Sequence, residues 1–137
     1  MDKQGVIDLI RDAGFGILTT VDGDKPKARP MMPYLDEETG KMLLAILPHS
    51  RTIAQIQANP NIELCYIDRQ MNFARVSGTA KLSDDKEGRE KVWNNIPMLR
   101  QYFTGPEDSN FKLIEIETGE IEVMTPQQKE PDIVSLK

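Results

Sequence analysis

Two arginines and a serine carry the clearest chemistry in this chain, and their setting suits the capture of an anion. Ser50 and Arg51 open a helical segment within LPHSRTIAQIQANP, residues 47–60, directly after an apolar strand-like run. The first turn of a helix has unpaired backbone N–H groups and the positive end of the helix dipole. Phosphate binds there readily, and a hydroxyl and a guanidinium sharpen the site. Arg29, in Arg29-Pro30-Met31, lies one hairpin upstream and can reach the same place. Each residue also has a plainer reading. Ser50 is an N-cap in either case, and an isolated strand arginine is usually a solvated charge. Arg51 opposes the dipole at a helix start, a cost of ~0.5 kcal/mol that a bound anion would remove. His49 is a secondary candidate for phosphate contact or proton donation, its plainer reading being an exposed loop residue.

Other chemistries lack their parts. The chain has one histidine and one cysteine, with no paired ligand spacing, so a zinc centre is not expected. His49 adjoins Ser50 without an evident orienting acid, which argues against a Ser-His-Asp hydrolase. Cys65 cannot form an intrachain disulfide and reads as a small core residue. Glu115, Glu117, Glu120 and Glu122 alternate across a pair of strands and read as a solvent face rather than a catalytic carboxylate set. A net charge of −5 lacks the electrostatic footprint of a nucleic-acid binder. The longest apolar run, residues 42–47, is too short to span a bilayer, and the first residues do not open a signal peptide. A soluble cytoplasmic protein without nucleic-acid or membrane partners is expected.

The elements that must position the anion site follow from periodicity. Val6, Leu9, Ile10 and Ala13 predict a short amphipathic helix ended by Gly14. Strands are predicted over 15–21, 27–35 and 41–47, turning at Asp22-Gly23 and Gly40, and these three read as a meander. The helix over 51–58 stops at Asn59-Pro60, and a strand over 62–67 follows. From Phe73 to Leu82, Ala74, Val76, Gly78, Ala80 and Leu82 alternate with polar residues, with Gly78 marking a bulge or bend. Ser83 is positioned to cap a helix carrying Val92, Trp93 and Ile96, which Pro97 breaks. A short helix over 98–103 and two strands, 111–117 and 120–125, joined at Thr118-Gly119, complete the pattern. The tail after Pro126 reads as polar and frayed.

Six to seven strands with few helices between them favour one mainly β domain, an antiparallel Greek-key barrel with short α-helices. The segments GFGILTTVDGDKPKARPM (14–31), SRTIAQIQANPNIELCY (50–66), RVSGTAKL (75–82) and IPMLRQYF (96–103) resemble, in order and spacing, the FMN-binding split β-barrels related to pyridoxamine 5'-phosphate oxidase, including the general stress protein 26 group. The resemblance implies that Arg29 binds the FMN phosphate, that Pro30, Met31 and Met32 line the isoalloxazine, and that Ser50 and Arg51 complete the phosphate site. Leu47, His49 and Thr52 fill out the candidate set. It also implies a homodimer with FMN at the subunit interface, which Trp93, Tyr102 or Phe103 could cover if they are not simply core.

Two departures stand out. Thr52 replaces a second basic residue of the oxidase, and Phe73 replaces a flavin-contacting glutamine. After Phe111 there is no Trp, Arg or His to grip pyridoxal phosphate, so pyridoxamine phosphate oxidation is not expected. The expected function is a flavin-dependent oxidoreductase acting on a small substrate, with NAD(P)H as a candidate donor. The alternatives are a non-enzymatic flavin-binding stress protein, or a split barrel that uses a deazaflavin or a haem, for which His49 is the only histidine.

Overall fold

A computed structural model describes residues 1–137. Helix α1 (Lys3–Ala13) is capped by Asp2, whose carboxylate accepts from the Gly5 N–H, and it ends at Gly14 with φ +80°. It buries Val6, Ile7, Leu9 and Ile10. Strands β1 (Gly16–Asp22) and β2 (Lys25–Met31) form a hairpin, and β3 (Tyr34–Leu35) and β4 (Met42–Ile46) form a second one. Helix α2 (Arg51–Ala58) leads to β5 (Asn61–Ile67) and β6 (Phe73–Ser83). Helix α3 (Lys86–Asn95), a 3-10 turn (Pro97–Gln101), β7 (Lys112–Met124) and β8 (Asp132–Val134) complete the chain.

The antiparallel sheet runs β2-β1-β5-β6-β7-β4-β3, with β8 paired to β7. Because β2 and β3 do not pair, the curled sheet stays open: a split barrel whose crossings from β2 to β3 and from β4 to β5 give non-meander order. The predicted strand over 27–35 is broken at Met32-Pro33, where proline lacks the N–H a ladder needs. The predicted three-strand meander is corrected accordingly, because β4 pairs with β7 rather than with β2. Two short strands, β3 and β8, raise the count to eight.

The last two predicted strands are a single strand. Thr118-Gly119 is not a turn but lies at the irregularity in β6–β7 pairing, where the register shifts between Val76 and Gly78. Gly78 is required there, since a Cβ would sit 2.3 Å from the Glu117 carbonyl oxygen. A bulge bends the ladder while both strands continue, which local turn residues alone do not distinguish from a hairpin. The tail is also ordered. Val134 pairs with Ile121, and Leu136 is buried, so two apolar anchors hold a segment that reads as polar overall.

One apolar cluster fills the barrel, with Leu18, Met42, Leu64, Tyr66, Val76 and Ile116 among its members. A second lies under α3 and the 3-10 turn, joining Leu43, Val92, Leu99, Phe103, Phe111 and Leu113. The Phe103 and Phe111 rings meet at 5.0 Å. At ~1.5–3 kcal/mol for each fully buried large side chain, this second cluster is enough to fix the 3-10 turn against β4. Cys65 belongs to neither cluster. Strict alternation puts Leu64 and Tyr66 inside, which turns Cys65 to the outer face opposite Arg75.

Candidate anion and ring site

Arg29 faces Leu18 across the β1–β2 hairpin and therefore shares the inner side of the sheet with that fully buried residue. Its guanidinium turns toward α2. Nη1 donates to the Thr20 hydroxyl at 2.8 Å and, at 3.4 Å, to the Leu18 carbonyl, while Nη2 donates to Gln55 Oε1 at 2.8 Å. The Thr20 hydroxyl in turn donates to Gln55 Oε1 at 2.5 Å. All three acceptors are neutral and no carboxylate pairs with Arg29. Burial pulls its pKa below the ordinary arginine value, but the group remains a cation.

Helix α2 begins as its sequence suggests. Ser50 is extended (φ −64°, ψ 135°) and its side chain accepts from the Thr52 N–H at 3.2 Å. The Ser50 N–H donates to the Leu47 carbonyl, so β4 feeds into the helix through one tight turn. Arg51 is exposed and makes no ion pair. His49 is exposed in the same turn. Thr52 is 4% exposed, so its side chain is not offered to a ligand at this helix end.

An apolar groove of about 250 Å³ runs along Pro30, Met31 and Met32 on one side and Leu44 to Leu47 on the other, and it is closed by Met98 and Leu99 of the 3-10 turn and by Tyr102 and Phe103 just after it. Four of the sequence candidates, Pro30, Met31, Met32 and Leu47, thus line one groove, with Arg29 preceding its first wall and Ser50-Arg51 following its last. Tyr102 is exposed at the rim and Phe103 is buried. Trp93 packs against the second cluster, with the Arg100 guanidinium 4.6 Å from its ring. Phe73 sits at the start of β6 under Arg75. A crevice lined by Asp12, Asp68, Arg69 and Gln70 has no apolar wall on which a ring could lie.

Thr20 and Gln55 escaped the sequence reading. The available signal was Gln55 itself, four residues after Arg51 and next to Ile56, a polar side chain on a helix face turned toward the sheet. The glutamate row is also only partly a solvent face. Glu115 is 7% exposed, accepts from the Ser83 hydroxyl and lies near Lys41 and Lys81, while Glu122 pairs with Arg75. Ser83 is therefore engaged elsewhere, and Asp85 caps α3 in its place.

A second polar cluster lies beneath α3. Lys91 Nζ meets Asp36 at 2.9 Å, Glu38 at 3.3 Å and Glu87 at 3.5 Å. Burial alone would raise the pKa of Asp36. Hydrogen bonds from Lys91, Thr39 and the Glu38 N–H, with the charge of Lys91, outweigh it and hold the carboxyl below its usual range. The hydrogen bond to Asp36 is the main influence raising Lys91.

An open split barrel with an uncompensated arginine on the strand that walls an apolar groove defines the class, and comparison with known proteins places the chain within it. The family model described as pyridoxamine 5'-phosphate oxidase like matches residues 2–132, and the chain belongs to that family. General stress protein 26 of Bacillus subtilis (strain 168) is 29% identical over 133 residues, covering 94% of this chain and 92% of that protein. The crystal structure of the General Stress Protein 26 from Bacillus anthracis str. Sterne superposes with a TM-score of 0.80 at 27% identity, covering 97% of each chain. A pyridoxamine 5'-phosphate oxidase-related, FMN binding protein of Nostoc punctiforme shares the fold, with a TM-score of 0.74 at 18% identity over 95% of this chain and 85% of that one. No helix is long and apolar enough to cross a membrane.

Proposed function

We propose that this chain is an FMN-binding protein, with the phosphate held by Arg29, Ser50 and Arg51 and the isoalloxazine lying in the groove between Pro30–Met32 and Leu44–Leu47. The observation that carries the reading is Arg29: a partly desolvated cation with only neutral partners, on the strand whose next residues, Pro30 and Met31, line an apolar groove that ends at Leu47, three residues before the α2 N-cap. An uncompensated charge costs stability unless an anion completes it. Bound FMN would supply the redox chemistry, taking and giving electrons or hydride at its ring. The chain's own residues bind the phosphate, fix the ring plane and exclude water from one face.

The proposed activity is that of a flavin-dependent oxidoreductase acting on a small substrate, with a reduced nicotinamide as candidate donor, in the cytoplasm. The groove offers no acid–base side chain apart from Tyr102, which favours a non-enzymatic flavin-binding stress protein as the second reading. We place the ligand at the interface of a homodimer. Exposed Phe15, Ile17, Ile67 and Met71, with Ile17 opposite Cys65 in the β1–β5 ladder, support an apolar contact face.

The test is the visible spectrum of protein reconstituted with excess FMN and desalted, beside protein as isolated. Retained flavin near one per chain is expected, and oxidation of NAD(P)H with an electron acceptor then separates the two readings. Colourless protein after reconstitution, or a haem band as isolated, overturns the FMN assignment. His49 is the only histidine for a haem and does not line the groove.

A further inference from the structure

We propose that Gln55 is a positioning residue that orients the Arg29 guanidinium for the phosphate while leaving its charge unneutralised, with Thr20 as the second member of the device. The inference rests on the phosphate site proposed above and assigns a role to two residues outside it. A guanidinium has five N–H donors in a planar fork. Nη1 is engaged by Thr20 and the Leu18 carbonyl, and Nη2 by Gln55. Thr20 Oγ1 and Gln55 Oε1 are themselves hydrogen-bonded at 2.5 Å, so they sit side by side and grip the terminal Nη1–Nη2 edge as a pair. The lateral edge, made by Nε–H and the second Nη2–H, has no protein partner. That edge has the geometry for a bidentate bond to two phosphate oxygens.

The chemistry of position 55 then matters more than its presence. The Gln55 amide oxygen accepts as a carboxylate would, but it carries no charge. A glutamate would satisfy the same hydrogen bonds and form an ion pair, competing with the ligand for the Arg29 charge. Gln55 lies one turn beyond Arg51 on α2, so the helix that offers its N-terminus to the anion also holds the strand arginine in place.

Binding of FMN and of riboflavin to wild type, Gln55→Glu, Thr20→Val and Arg29→Ala, followed by flavin fluorescence and accompanied by thermal melts, tests this. The expected result for Gln55→Glu is an unchanged or raised Tm, FMN affinity reduced at least tenfold and riboflavin affinity within twofold of wild type. Thr20→Val, isosteric and without the hydroxyl, should reduce the FMN preference three- to fivefold. A merely structural role would lower both affinities together. Folded Gln55→Glu that binds FMN within twofold of wild type overturns the positioning role, provided that Arg29→Ala loses the FMN preference. Should Gln55→Glu fail to fold, an unchanged FMN-to-riboflavin ratio in Thr20→Val overturns it. If Arg29→Ala leaves that ratio unchanged, the phosphate site itself is wrong and this inference fails with it.

Discussion

Two of the cation clusters in this molecule treat the same problem in opposite ways. Beneath α3, Lys91 is surrounded by Asp36, Glu38 and Glu87, and Asp36 is further satisfied by Thr39 and a backbone N–H. Beside α2, Arg29 has only a hydroxyl, an amide oxygen and a carbonyl. In the first cluster the cation is fully countered, with carboxylates in excess, so it reads as structure. The second is held in geometry but lacks its counter-charge, so it reads as a receptor. Whether the cation meets a carboxylate, more than the number of hydrogen bonds, separates fastening from function in this comparison.

Removing the receptor charge breaks the comparison most strongly. Arg29→Ala should weaken FMN ten- to a hundredfold, about 1.5–3 kcal/mol for a charge-assisted hydrogen bond, with little loss of Tm, as titration of apo-protein and a thermal melt will show. At the other cluster the expectation is reversed. Asp36→Asn keeps the shape but loses the ion pair, and should cost about 2 kcal/mol of stability in urea while leaving FMN affinity unchanged.

The pH dependence sharpens the same contrast. Since Asp36 has a lowered pKa in the folded state, its contribution is fully present above its ordinary value of 3.8 and is lost as pH falls through the folded value. Wild type should therefore lose stability below about pH 4 more steeply than Asp36→Asn, measured by denaturant melts from pH 2 to 6. The smallest effect belongs to Arg51. Exposed and unpaired, it should contribute two- to fivefold to FMN affinity, and most of that contribution should vanish in high salt.

Much of the site could be read from residue types because it depends on local rules. The N-cap at Ser50, the helix stop at Asn59-Pro60 and the apolar run into Leu47 are short-range signals, and the structure keeps them. The Gly78 irregularity was legible for the same reason. What could not be read is non-local. That Arg29 folds inward to Gln55 depends on where α2 lands on the sheet, 26 residues later. The fusion of residues 112–124 into one strand depends on β6 continuing alongside, and the docking of the tail depends on a space that Leu136 fills. Cys65 differs in kind: its small apolar type suggests core, whereas the alternation of Ile62, Leu64 and Tyr66 sets it on the outer face.

The gap between β2 and β3 leaves β2 with a free edge, and such edges invite strand-by-strand polymerisation. In Lys25–Met31 the positions 26, 28 and 30 share one backbone phase, and two of them are proline. β2 pairs with β1 along its whole length, so the missing N–H groups of Pro26 and Pro30 belong to the outward row. That row retains only the Ala28 donor, with the Lys27 charge beside it. The split that opens the barrel is thus blunted against aggregation by the strand that carries Arg29.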